Sequence, residues 1–329
     1  MLISRRVFAV ALVCLISTGC FAAGSAYAGT IRISVLKTGT VQWEFNVIAE
    51  HGLAKAAGLT INRTSLASPQ AGKVALRGGS ADVIVSDWLW VSRERDLGAD
   101  LVFFPYSTAL GSVMVPANSK IHSIADLKGK TIGVAGGPID KSWLLLQALA
   151  KRQGIDLKRD AHIVYGAPPL LTAELKQGRL DAMLNFWNFC TRLETQGYRR
   201  LIGVEDMLPK FGVKGPLAMI GYVFDGKWAA AHPKTIAEFL QVTHKAKEML
   251  ATSDAEWKRI APLVHVKSAA ALTTYRDYYR AGIPTRPIAE QEADARALYR
   301  VLAKLGGKAL VGNSKELAPG TFYHPSAAK

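Results

Sequence analysis

Leu76-Arg77-Gly78-Gly79-Ser80-Ala81-Asp82, followed by Val83-Ile84-Val85 and Ser86-Asp87-Trp88, returns later in the chain. The second copy reads Leu175-Lys176-Gln177-Gly178-Arg179-Leu180-Asp181, then Ala182-Met183-Leu184 and Asn185-Phe186-Trp187. The shared pattern is L-[RK]-x-G-x-apolar-D, a short apolar run and a closing tryptophan. A basic last turn, a glycine just past it and a continuous apolar run read as a helix feeding a buried strand. Upstream of each copy stands another echo: Leu53-Ala54-Lys55-Ala56-Ala57-Gly58-Leu59 and Leu149-Ala150-Lys151-Arg152-Gln153-Gly154-Ile155. Two motifs repeated in the same order predict an internal duplication. Each unit reads β-α-β-α-β, a mostly parallel sheet with short, apolar strands and helices on both faces.

Outward from the repeats, Ile31, Ile33 and Val35 alternate as in a strand. Residues 101–104, 113–116 and 217–224 are extended segments. Residues 235–252 form an amphipathic helix with Ile236, Phe239, Leu240 and Thr243 on one face. Ser253 with Glu256 spells a capping box, and a helix over 289–305 stops at Gly306-Gly307. The fold class is therefore α/β: two lobes, each a mostly parallel sheet flanked by helices, joined by hinge strands. Residues 29–112 and 221–329 make lobe 1, with the C-terminal helices packing on it, and 113–220 make lobe 2. Ligands of such a hinged pair sit at the carboxyl ends of the strands, facing the cleft.

The chain has 329 residues, 41 Lys+Arg against 26 Asp+Glu, and three cysteines. That is too polar and evenly mixed for a multi-span membrane protein and too apolar for disorder. Arg5 and Arg6, an apolar run over 7–16 and Ala26-Tyr27-Ala28 read as a cleaved export signal, with Gly29 as the new N-terminus. Ser4-Arg5-Arg6-Val7-Phe8 suits a twin-arginine route as well as the general one, and Cys20 is the rival site of a lipid anchor. Removing residues 1–28 leaves one cysteine, Cys190, so no internal disulfide is available and stability must come from core burial. The excess of basic residues forms no long run and no aromatic-basic motif, which speaks against nucleic acid and for a solvated basic surface.

Catalytic motifs are missing. There is no G-x-S-x-G and no G-x-G-x-x-G, and Trp228 replaces the Ser/Thr of a phosphate loop after Gly226-Lys227. The seven histidines have no H-x-H or H-E-x-x-H spacing, so no metal site and no cofactor is expected. Binding, rather than an enzyme, is the default.

The export signal, the duplicated lobe and the run Ile124-Ala125-Asp126-Leu127-Lys128-Gly129-Lys130-Thr131-Ile132-Gly133-Val134 resemble a periplasmic solute-binding protein. The chain resembles in particular the aliphatic-sulfonate, taurine and nitrate group of ABC-importer receptors, over roughly residues 30–260. The resemblance implies the type II-like two-lobed periplasmic fold, a monomer that closes on one small polar solute. Its partners would be an inner-membrane ABC permease and a cytoplasmic ATPase. It also implies a pocket drawn from Thr38, Thr40, Gln42 and Trp43 after the first strand, Ser68 and Gln70 after the second, and Ser86, Asp87 and Trp88 after the third. The other lobe adds Gly137, Ile139 and Asp140, then Asn185 and Trp187. Helix N-termini there would offer unpaired N–H groups to an anionic head, with tryptophan and phenylalanine walling the organic part.

Thr38, Thr40 and Ser68 suit a helix cap as well as a ligand donor, and Trp88 and Trp187 suit inter-helix core as well as a cleft wall. Asn185, at a strand end, is expected to bond the ligand. Asp87 and Asp140 depart from the Ser/Thr of sulfonate binders. Unless neutralised, they would repel a sulfonate and, with Glu44, favour an amine, a hydroxyl-rich solute or a hard metal ion; Asp140 also suits the first turn of a helix. Two other roles compete: a pyrimidine-synthase-like enzyme, and a periplasmic accessory or sensor.

Overall fold

The computed structural model describes residues 29–325. The export signal expected over residues 1–28, with Cys14 and Cys20, lies outside the described residues.

The first half runs β1 (Gly29–Leu36), α1 (Val41–Glu50), α2 (Leu53–Ala56), β2 (Leu59–Leu66), α3 (Pro69–Arg77), β3 (Val83–Asp87), α4 (Trp88–Asp96) and β4 (Leu101–Ser107). The chain then crosses into β5 (Ser112–Val115). The second unit follows as β6 (Thr131–Ala135), α5 (Lys141–Lys151), α6 (Leu157–Asp160), β7 (His162–Gly166), α7 (Pro168–Lys176), β8 (Ala182–Asn185), α8 (Trp187–Glu194), β9 (Arg199–Gly203) and α9 (Val204–Met207). After a 3-10 turn at Leu208–Phe211 the chain returns as β10 (Ile220–Asp225). It ends in helices α10 (Gly226–Ala231), α11 (Pro233–Thr252), α12 (Asp254–Val264), α13 (Ala269–Ala281) and α14 (Ile288–Val311).

The strands form two five-stranded sheets, ordered β2-β1-β3-β10-β4 and β7-β6-β8-β5-β9. Within each, the three strands of the repeated unit are parallel. A strand from elsewhere in the chain enters antiparallel beside the third: β10 next to β3, and β5 next to β8. These are two lobes built on one plan.

The duplication has a physical signature beyond the shared letters. Asp82 and Asp181 occupy the matched aspartate positions, just before the third strand of each unit. Asp82 Oδ2 accepts from the Arg32 backbone N–H at 2.7 Å, and Asp181 Oδ2 accepts from that of Thr131 at 2.8 Å. Each aspartate thus pins the first strand to the third in the same way. The matched glycines Gly79 and Gly178 have φ of 69° and 72°, a left-handed turn that any Cβ would strain.

Local departures from the sequence reading are small. The last extended segment becomes a strand only from Ile220. The final helix passes Leu305 and continues to Val311 across a break at Gly307, where φ is 56°. Only half of the expected capping box forms. Ser253 Oγ accepts from the Glu256 N–H, but the Glu256 carboxylate turns to His51 and Arg259 instead of reaching back.

Two large cores hold the lobes. One runs from Ile84 and Leu89, through Leu298, Tyr299 and Leu302 of α14, to Ile132, Trp143 and Leu145 of the second unit. The other gathers Ile31, Ile33, Trp43, Phe45 and Phe239 with the aromatic residues of α12 and α13. Burying each such side chain contributes roughly 1.5–3 kcal/mol. Among the described residues no helix is long and apolar enough to cross a membrane.

Candidate functional site

The carboxyl ends of β1, β3, β6 and β8 deliver the starts of α1, α4, α5 and α8 to the boundary between the lobes. Four charged side chains meet there. Asp87 caps α4, its Oδ1 accepting from the Trp90 N–H at 2.9 Å. Its Oδ2 faces two ammonium groups, Lys141 Nζ at 3.2 Å from the second lobe and Lys73 Nζ at 3.6 Å from α3. Asp140 caps α5, with Oδ1 accepting from the N–H groups of Ser142 and Trp143. Gly136 makes room for it: a Cβ there would lie 2.5 Å from Asp140 Oδ2.

The electrostatics of this quartet are strongly coupled. Burial alone would raise the Asp87 carboxyl, but Lys141 and Lys73, helped by the Trp90 N–H, hold it down at about 2. Burial raises Asp140, with Asp87 adding to the rise and Lys141 and the capping N–H groups opposing it. Burial would lower Lys141, yet its two aspartate neighbours keep it raised, whereas burial wins at Lys73 and lowers it.

Asp87 in the folded chain titrates below an unfolded aspartate, whose pKa is near 3.9. Its ion pairs therefore contribute fully above about pH 4 and are lost as pH falls toward 2. Asp87→Asn should lower the unfolding free energy by about 2 kcal/mol at neutral pH. The gap between the two proteins should close as pH approaches 2. Urea titrations of both across that range check it, and a gap independent of pH would mean that charge pairing contributes nothing.

Beside the quartet the lobes touch through aromatic rings. Trp43, in the first turn of α1, meets Trp187, the first residue of α8, edge to face with centroids 5.9 Å apart. Tyr275 of α13 packs on both rings, and its hydroxyl donates to Asn188 O at 2.5 Å. Neither α1 nor α8 has a side-chain cap at its N-terminus. The Gln42 and Trp43 N–H groups of α1 donate to Gly39 O and Thr40 O, and the Phe189 N–H of α8 to Phe186 O; the N–H groups ahead of these, at Val41, Trp187 and Asn188, are the kind of donors that an anion satisfies.

The remaining expected residues divide. Thr40 Oγ1 lies 3.4 Å from the Tyr106 hydroxyl, Gln42 Nε2 donates to Leu36 O, and Ser68 caps α3 by accepting from the Ala71 N–H. Thr38 and Gln70 are exposed, as is Ile139 next to half-buried Gly137. Ser86 Oγ is buried and finds no hydrogen-bond partner among the described residues.

Three of the expected residues are engaged by other groups of the protein. Trp88 is fully buried, as the inter-helix core alternative expects; its indole N–H donates to Ala218 O and its ring packs near Tyr299 of α14. Asn185 is an internal brace: Nδ2 lies within bonding distance of Pro168 O and Thr172 Oγ1, and Oδ1 accepts from the Phe186 N–H. Glu44 is buried away from the quartet, held by Lys247 and the hydroxyls of Tyr222 and Tyr279.

A family profile described as "NMT1/THI5 like" matches residues 45–256, more than half of the chain. The chain belongs to the NMT1/THI5-like family. No curated protein sequence matches it. The NMT1/THI5-like chain is similar in structure to the periplasmic aliphatic sulphonate-binding protein SsuA of Escherichia coli, with a TM-score of 0.70 and 19% identity over 91% of this chain and 94% of that one. It is also similar to the alkanesulfonate-binding protein SsuA of Xanthomonas axonopodis pv. citri bound to MOPS, with a TM-score of 0.68 and 19% identity over 89% and 98%. A third likeness is the zinc-bound ligand-binding component of an ABC-type import system from Staphylococcus aureus, with a TM-score of 0.66 and 15% identity over 90% and 97%. At such identities these likenesses show the two-lobed fold. Among the described residues of the NMT1/THI5-like chain, no three His, Cys, Asp or Glu side chains gather as a metal would need.

Sequence reasoning missed Lys73 and Tyr275 and saw Lys141 only as a neighbour of Asp140. Lys73 sits 14 positions before Asp87 on an unremarkable helix, and no local pattern marks it. Only the fold brings the two lysines to one carboxylate.

Proposed function

We propose that this chain is the extracytoplasmic solute-binding receptor of an ABC importer, closing its two lobes on a small organic anion of the sulfonate type. The observation that carries the reading is the contact of Trp43 with Trp187, which brings the uncapped starts of α1 and α8 to one boundary from opposite lobes. Lys73 and Lys141 supply two positive charges against the one firmly ionised carboxylate, Asp87. Burial raises Asp140, which makes it the less firmly ionised of the two carboxylates. The repulsion expected from Asp87 is thus already neutralised. Ser86 Oγ offers a buried hydroxyl without a partner among the described residues, and the indoles exclude water from the organic part.

Calorimetric titration with short alkanesulfonates, carboxylates and amines tests the ligand class. Sulfonates should bind, and Lys73→Met with Lys141→Met should weaken them by at least about tenfold, as the loss of charge-assisted hydrogen bonds would cost. Binding of amines alone, or anion affinity unmoved by the lysine changes, would overturn it.

The other elements of this reading rest on the sequence: export by a signal over residues 1–28, a monomer outside the cytoplasm, and delivery to a membrane permease driven by an ATPase. Binding without turnover fits the lack of a catalytic motif. N-terminal sequencing of protein recovered outside the cytoplasm should begin at Gly29.

A further inference from the structure

Away from the lobe boundary, α5, the turn at Leu208–Phe211 and α14 border an open, shallow groove of about 370 Å³. Its floor is apolar: Ala148, Phe211, Val301 and Leu305. Its rim is cationic, formed by Lys151, Arg152 and Lys304. Arg152 lies over the Phe211 ring at 4.6 Å and donates to Lys210 O at 2.7 Å. Among the described residues none of the three cations is paired with a carboxylate, although most arginines of this chain are. The carbonyls ending α5 place some negative potential nearby, but three whole charges outweigh a helix end.

This pairing of a recessed apolar floor with unneutralised cations has a specific chemical complement. We propose that the groove is a second binding site, for an amphiphilic anion: an alkyl or aryl chain ending in a carboxylate, sulfate or phosphate. The volume is in the range of small-molecule sites, roughly 300–1,000 Å³. The tail lies on Ala148, Val301 and Leu305 beside the Arg152-covered Phe211 ring while the head reaches Lys151 and Lys304. A membrane surface fits less well, since insertion needs protruding apolar side chains and those of the groove are not among the exposed large hydrophobic residues. The occupant is a single molecule, held in the crease between the second lobe and the helix that also packs on α4 of the first.

Calorimetric titration of the full chain with decanoate and with decyl sulfate, both kept below micelle-forming concentrations, provides the test. Saturable binding of both is expected, with decanol at least about tenfold weaker. Lys151→Glu combined with Lys304→Glu should weaken both anions by a similar factor while methanesulfonate titrations stay unchanged. Should that variant misfold by circular dichroism, Val301→Trp fills the floor without altering charge and should abolish decanoate binding. No saturable binding, equal affinity for decanol, or decanoate binding indifferent to these changes would overturn the site. Sedimentation with phosphatidylglycerol vesicles separates the sources: pelleting without binding of monomeric decanoate would assign the cations to a lipid surface and overturn it too.

Discussion

Lys247→Met should destabilise the fold by about 3–5 kcal/mol, because it strands the Glu44 carboxylate in the core. Glu44 is fully buried, and its oxygens are held from three directions: the Lys247 ammonium of α11, the Tyr279 hydroxyl of α13 at 2.6 Å and the Tyr222 hydroxyl of β10 at 3.2 Å. The Tyr106 ring closes over Lys247 Nζ at 3.8 Å. Burial, and after it the Glu44 charge, push the hydroxyls of Tyr106, Tyr222 and Tyr279 well above their ordinary range, so all three remain protonated donors. Burial also lowers Lys247, against the pull of Glu44. Once the lysine is gone, two neutral hydroxyls are left to stabilise a desolvated charge. Glu44→Gln together with Lys247→Met removes both ions and should cost far less than Lys247→Met alone. Urea unfolding of the wild type, Glu44→Gln, Lys247→Met and the double variant measures this, and additive losses would disprove the coupling.

Trp187→Ala should cost about 3–5 kcal/mol, the range for deleting a large buried aromatic side chain. Here the cavity opens between lobes. Trp187 is only 6% exposed and touches Trp43 and Tyr275, both carried by the first half and the C-terminal helices. Its loss should therefore also loosen lobe closure. Small-angle scattering should report a larger radius of gyration for the variant, and calorimetry a broader or earlier transition. An unchanged radius with the full stability loss would mean that the ring supports its own lobe alone.

Much of the architecture is legible in the chain because each repeated unit carries its own punctuation. The glycine that ends a helix and the aspartate that pins two strands are local devices, so Gly79 with Gly178 and Asp82 with Asp181 mark the same joints twice. The site is legible only to the level of its loops. Asp87 and Asp140 are recognisable as helix starts, yet their charge state depends on Lys73 and Lys141, which only folding supplies. Trp88 and Trp187 occupy equivalent positions but opposite environments. Helix α14, more than 200 residues downstream, covers the first, while α13 and Trp43 meet the second. A duplication predicts equivalent backbones; the unduplicated C-terminal helices decide which indole reaches the lobe boundary. Asn185 is open to two readings for a related reason: a strand-end amide can serve a neighbouring helix start as readily as a guest.

The exchanged strands also govern how the molecule can be assembled in time. β10 lies between β3 and β4, so the first sheet lacks an inner member until residues 220–225 have been made. A ribosome must therefore release the chain through residue 225 before that sheet can close. Its pairings span well over 100 positions, which makes for high contact order and slow acquisition of structure. Until then the nascent chain has no complete first sheet to lock its first lobe.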